Sequence, residues 1–291
     1  MTVRPRTIQI FLPSGDPRGI RVSELTSSIA RVIDVPRALL GAYLEMPEAG
    51  QVGIYFLIGD DDEQDYPSLY IGQTGSTGKR LLEHHKEGKK EWSRALVAVS
   101  LTNNLTQTHA LYLEWLSIQR ANEVGRYKVE NGNSGSKPYA PAPLEADCQE
   151  LFDIVGTLVA TLGQPIFEPL SKPSSGGKDP ELFYLRSNGY EAVGQYTEEG
   201  MVVLEGSKAR KDIVPSMAQY AARRENLVAE GLLKLEGEHY VFQKNVAFKA
   251  PSGASDAVTG ASTNGWLTWK TSDGRTLDEI KRKPLSVADP A

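Results

Sequence analysis

Apolar and polar residues alternate over residues 7–12 (TIQIFL), the period of a strand with one buried face. Residues 23–32 (SELTSSIARV) have wider spacing and open on Ser23, a good N-cap, so a helix is expected there. Two short runs follow, residues 52–58 (VGIYFLI) and 68–71 (SLYI), separated by the acidic, turn-forming GDDDEQDYP. That pattern predicts a hairpin with an enlarged loop. Residues 79–90 suit a helix, 95–100 (ALVAVS) a strand, and 106–124 a long helix with Leu111, Trp115 and Ile118 on one stripe.

Beyond residue 180 the alternation resumes over residues 182–204, around a turn at Glu198, Glu199 and Gly200. Helical spacing over residues 215–230 ends at Gly231, placed as a C′ residue. LLKLEG and HYVFQK read as strands, followed by a loop-rich end and a frayed tail after Lys283. Residues 168–180 (EPLSKPSSGGKDP) have the composition of a linker, whereas residues 131–143 read as a long surface loop. The expected organisation is a first domain over residues 1–167 with its core at about 51–133, the linker, and a second domain over 181–285. Both are α+β: a small mixed sheet flanked by helices, then a second α+β domain.

Length agrees with two modest domains, 291 residues in all. No run of about 18 apolar residues is long enough to span a membrane, and the opening apolar stretch is too short for a signal peptide. A cytoplasmic protein without a membrane partner is expected. The single cysteine, Cys148, excludes an internal disulfide and a multi-cysteine metal site; beside the apolar run LFDIVGTLVATL it reads as a core residue, with a nucleophile as the other reading. The formal charge of −5 excludes a uniformly basic binder of nucleic acid. Charge is unevenly placed, however. Residues 1–170 carry 16 basic and 21 acidic side chains, residues 171–291 carry 16 of each, and residues 79–94 carry six basic against three acidic.

Several polar residues of the first half interrupt these patterns. Glu114 lies among Ala110, Leu111 and Ile118 on an apolar stripe. An ionised carboxylate there calls for a compensating cation, such as a hard divalent metal, unless it sits at the solvated edge of the stripe. Arg80 and His84 share a helix face, suited either to a phosphate and a proton or to an exposed basic surface. Tyr55 and Tyr70 fall on the two strands of the hairpin, where a tyrosine pair is ordinary sheet packing. A phenol near pKa 10 serves as a base only with help from nearby charge. Lys79, Lys86, Lys89 and Lys90 offer salt-sensitive phosphate contacts, or form a salt-bridged face with Glu83, Glu87 and Glu91.

The order of these residues is more specific than any one of them. Gly53-Ile54-Tyr55, Tyr70-Ile71-Gly72, Arg80, His84 and Glu114 in succession resemble the GIY-YIG nucleases, over residues 51–133. The resemblance implies metal-dependent hydrolysis of DNA phosphodiesters. Tyr55 would be the general base and Tyr70 would orient water or phosphate. Arg80 would stabilise the pentavalent phosphate, and Glu114 would hold Mg²⁺ or Mn²⁺. His84, with His85 as its alternate, matches a histidine of many members, and the family asparagine falls at Asn131 or Asn133. Gly72, the four lysines and that asparagine are expected on the DNA side. Two departures stand out: Asp60, Asp61, Asp62, Glu63 and Asp65 in the spacer, and Gln73 where many members carry lysine.

Residues 245–270 (NVAFKAPSGASDAVTGASTNGWLTWK) are similar to a PSxAA…NGWxxWK pattern in an uncharacterised domain appended to such nucleases, with Gly253 departing from the more usual alanine-rich run. The company it keeps implies DNA reading. Trp266 is expected in the core, and Trp269 with Lys270 on an exposed nucleic-acid contact. A nucleic-acid-binding protein with a weak or silent nuclease site, and a structural adaptor gripping protein, are the other functional readings.

Overall fold

The computed structural model describes residues 5–59, 67–88, 90–132, 135–170, 181–187, 189–197, 200–217 and 220–282. The chain divides into two compact units, Met1–Glu168 and Pro169–Ala291. Each is mixed α+β with one multi-stranded sheet.

In the first unit the strands are β1 (Ile8–Phe11), β2 (Arg21–Leu25), β3 (Ala30–Pro36), β4 (Gly53–Gly59), β5 (Ser68–Thr74), β6 (Arg94–Ser100) and β7 (Lys128–Val129). They lie in the order β1-β2-β3-β6-β4-β5-β7, antiparallel except for the β5–β7 pair. The helices are α1 (Leu40–Leu44), α2 (Thr77–Glu87), α3 (Gln107–Val124) and α4 (Ala142–Thr161). Both faces of the sheet are buried. Ile54, Phe56, Ile58, Leu69 and Ile71 pack with residues of α3 and α4, including Cys148, which takes its expected core place. Tyr55, Leu57, Val97 and Val99 cluster on the opposite face with Tyr43, Leu81 and Trp92.

Two expectations fail here. Residues 23–32 are not a helix: β2 and β3 form a hairpin with Arg21 opposite Asp34 and Glu24 opposite Arg31. Arg21 Nε donates to Asp34 Oδ2 at 2.7 Å, and Arg94 Nη1 reaches both oxygens of the same fully buried carboxylate at 2.5 Å. These cross-strand charge pairs and the burial of Val22, Val32 and Ile33 outweigh local helical spacing. On α3, Leu111 is 39% exposed, while Ala110, Leu113, Ile118 and Ala121 are buried. The helix is covered from two sides, by the sheet and by α4, so the face it buries is broader than the predicted stripe.

The second unit has β8 (Leu182–Ser187), β9 (Tyr190–Thr197), β10 (Gly200–Val203), β11 (Lys208–Arg210), β12 (Leu233–Glu236), β13 (His239–Phe242) and β14 (Val246–Phe248). The order is β12-β13-β11-β9-β10-β14, with β8 paired to β9. Its helices are α5 (Tyr220–Ala229), α6 (Pro251–Thr259), α7 (Gly265–Thr268) and α8 (Leu277–Lys281). The end expected to be loop-rich therefore carries three helices. Gly, Ser and Thr obscure α6 in the sequence, but Pro251 at its first turn and Gly260 at φ 66° mark its ends. Among the described residues no helix is long and apolar enough to cross a membrane.

Candidate functional site

The β4–β5 register sets the site. Tyr55 lies opposite Gly72 and Leu57 opposite Tyr70, so both tyrosines face α2. Gly72 is required by this packing: a Cβ there would stand 2.3 Å from the Tyr55 hydroxyl. The glycine expected to face DNA instead makes room for a phenol. The N-terminus of α2 is held by Thr77, whose hydroxyl lies 2.7 Å from that of Tyr43 and donates to the Glu48 carbonyl at 3.0 Å. Gly88, at φ 60°, ends the helix.

Held this way, α2 brings Arg80 and His84 onto one oxygen. Arg80 Nε donates to Tyr55 Oη at 3.3 Å, and His84 Nε2 lies 2.9 Å from the same atom. Burial drives the Tyr55 phenol pKa upward, more than Arg80 draws it down, so the group is a neutral phenol. Burial, assisted by the charges of Arg80 and Lys90, lowers the His84 pKa and favours a neutral imidazole. In the imidazole tautomer that leaves Nε2 unprotonated, the tyrosine oxygen accepts from Arg80 and donates its own proton to His84 Nε2. One phenolic lone pair is left over. The three rings cluster, with centroids 5.5 Å apart for Tyr55–His84 and Tyr70–His84 and 6.3 Å for Tyr55–Tyr70. Tyr55 is 1% exposed, whereas Tyr70 is half-buried and its hydroxyl makes no hydrogen bond among the described residues.

Glu114 arrives from α3, which begins at a capping box of Thr106 and His109. Its Oε1 accepts the Gln73 N–H at 3.1 Å, on the free edge of β5 beyond the short pairing with β7. The side chain is half-buried, and burial raises its carboxyl pKa while the Gln73 N–H and Arg80 pull it down. Such a carboxylate gains from a nearby cation. Among the described residues no three His, Cys, Asp or Glu side chains converge on a metal position. A single carboxylate suits Mg²⁺, which keeps several of its waters, rather than a metal needing a full protein cage.

The remaining predicted residues separate. Asn131 spends both ends of its amide on Ile71, Oδ1 accepting the backbone N–H at 3.0 Å and Nδ2 donating to the carbonyl at 2.7 Å. It finishes the β5 edge and is not a free DNA contact. Lys90 lies over the Tyr70 ring, Nζ 3.3 Å from the centroid, and 3.9 Å from Glu130. That places it against the tyrosine rather than on an open phosphate-binding face. Lys79 and Lys86 are exposed, as expected. Lys89, Asn133 and the acidic spacer lie outside the described residues. His85 is not an alternate to His84: it is exposed, and its Nδ1 accepts from Arg37. Glu83, expected in a salt-bridged helix face, pairs with Arg80 at 2.9 Å, a partner that their i,i+3 spacing signalled but the sequence reading did not draw. Gln73 engages Gln107 through its side chain.

In the second unit the two tryptophans exchange their expected places. Trp269 is fully buried, and its Nε1 donates to the Pro251 carbonyl at 3.2 Å. Trp266 is half-buried, with Tyr196 edge-on at 5.4 Å and the Arg282 guanidinium 3.6 Å from its ring. The rest of the motif closes on itself. Asn264 caps α7, Gly265 N donates to Ser252 Oγ at 3.2 Å, and a Cβ on Gly265 would stand 2.1 Å from the Pro251 carbonyl carbon. The indole is large and apolar with one donor, and sealing it against Pro251 satisfies that donor inside the core. Lys270 remains exposed.

Residues 183–281 match a family described as a domain of unknown function, DUF4357. No curated protein and no solved structure matches the chain.

Proposed function

We propose that the first unit is a metal-dependent endonuclease of the GIY-YIG type, hydrolysing DNA phosphodiester bonds. The observation that carries this reading is the convergence of Arg80 and His84 on Tyr55 Oη, with Glu114 at the adjacent strand edge. Water gives a proton to the free lone pair of Tyr55 as the Tyr55 proton passes to neutral His84 Nε2. The hydroxide attacks phosphorus and the sugar oxygen leaves. Tyr70 orients the water or the phosphate from the more exposed side of the ring cluster. Arg80 stabilises the charge that builds on the phosphate oxygens through its N–H groups. Glu114 would hold the divalent cation, which when bound supplies further positive charge to the phosphate.

The test is cleavage of a panel of duplex, nicked, branched and single-stranded DNA, methylated and unmethylated, with Mg²⁺ or Mn²⁺. Tyr55→Phe and Glu114→Ala are each expected to slow cutting by about 100-fold or more. Parental rates in both variants refute the mechanism. The pH dependence has a set direction. His84 accepts a proton only while neutral, and its pKa is lowered from 6.5, so activity persists to pH values below 6.5 before falling. The other reading is a DNA binder with a silent site. The 1% exposure of Tyr55 favours it, and salt-sensitive binding without cleavage across the panel would establish it.

A further inference from the structure

β8 is an edge strand whose outer side is engaged at Tyr184, where the backbone exchanges hydrogen bonds with Lys270 at 2.6 and 3.0 Å. Beside this bridge lies a cleft of about 360 Å³, bordered by Tyr184, Arg186, Tyr190, Leu267, Lys270 and the turn that follows. A second hollow shares Arg186 and Tyr190 with it, which extends the depression along the end of the β8–β9 hairpin. The two tyrosines lie under cations, Arg186 at 4.5 Å from Tyr184 and Arg210 at 5.5 Å from Tyr190. Leu267 is 51% exposed at the rim.

The charge around the cleft is complementary to an anion. Glu191 is paired with Arg186 at 3.1 Å, and Asp273 with Arg275 at 2.8 Å. Lys270 and Arg210 have no ion-pair partner among the described residues. The Arg186–Glu191 pair is about 60% exposed on both sides, so exchanging it for a phosphate costs little. The tyrosine rings, the aliphatic rim, Lys270 at the cleft and Arg210 beside Tyr190 suit a base out of its stack with its phosphates alongside. A duplex has no base free to enter.

We infer that this cleft binds single-stranded nucleic acid, with a base against Tyr184 or Tyr190 and phosphates on Lys270 and Arg210. The inference rests on the nucleic-acid half of the proposed function and is independent of hydrolysis.

The test uses the full chain carrying Glu114→Gln and a fluorescent oligodeoxythymidylate, followed by anisotropy, with the same strand in duplex as comparison. Lys270→Glu with Arg210→Glu is expected to weaken single-strand binding tenfold or more. The same pair lowers the salt slope by about 1.4, the value for two lost phosphate contacts. Tyr184→Leu loses about fivefold or more, and Tyr184→Phe retains binding, because stacking needs the ring and not the hydroxyl. Circular dichroism verifies that each variant is folded. Absent single-strand binding at low salt, equal binding in the charge-reversed variant, or a loss confined to the duplex overturns the inference.

Cleavage separates the two proposals. If Tyr55→Phe and Glu114→Ala cut at parental rates while the cleft variants lose the single strand, the hydrolytic reading fails and the cleft stands. If those two variants lose cleavage while the cleft variants bind normally, the cleft fails and the hydrolytic reading stands.

Discussion

The two units use motif residues in opposite ways. In the second, Pro251, Ser252, Asn264, Gly265 and Trp269 satisfy one another: an indole donor meets a carbonyl, a serine receives a backbone N–H, and an asparagine caps a short helix. In the first, the motif leaves chemistry unspent. Tyr55 keeps a lone pair, the Tyr70 hydroxyl makes no hydrogen bond among the described residues, and burial works against the charge of Glu114. A recurrent pattern can specify a fold or a reaction, and the fate of its polar atoms tells which. The Pro251–Trp269 pattern is therefore a latch for its domain, and the binding surface inferred in that domain lies beside it.

Substituting glycines is a direct way to break this contrast. The largest effect is expected at Gly265→Ala, where the new methyl meets the Pro251 backbone, a neighbour that cannot swing aside. Overpacking of this kind costs about 3 kcal/mol or more, visible as loss of the second unit's transition in thermal unfolding. Parental stability would show that the latch is loose. Gly72→Ala comes next. Its methyl would meet the Tyr55 hydroxyl and ring and displace the phenol from Arg80 and His84, so cleavage is expected to fall about 100-fold with a stability loss of about 1–3 kcal/mol. A large stability loss with unaltered cleavage would make Tyr55 a packing residue only. The smallest effect sharpens the comparison. A Cβ on Gly253 finds its nearest neighbour at 3.8 Å, so Gly253→Ala in α6 is expected to stabilise by about 0.5–1 kcal/mol, read by denaturant titration.

Much of the site was legible because its residues are ordered along one hairpin and two helices. Tyr55, Tyr70, Arg80, His84 and Glu114 could be named as candidates because their order resembles that of the GIY-YIG family. What spacing concealed was occupancy. Asn131 and Lys90 have the chemistry of DNA contacts, yet one is used by the Ile71 backbone and the other lies over Tyr70. The β2–β3 hairpin was hidden for a related reason: Asp34 and its two arginines are distant in sequence, and the helical spacing of residues 23–32 is a local property.

The sequence by itself determined the α+β class, the β4–β5 hairpin, the α2 and α3 segments and the order of the candidate residues, because these follow from short-range periodicity and turn chemistry. Tertiary structure alone decided which polar groups are consumed. It sealed Trp269 and left Trp266 half-buried, turned Gly72 into space for a phenol, and set Arg80 and His84 on one oxygen. Burial and hydrogen-bond satisfaction depend on neighbours brought from elsewhere in the chain, and periodicity along the chain carries no record of them.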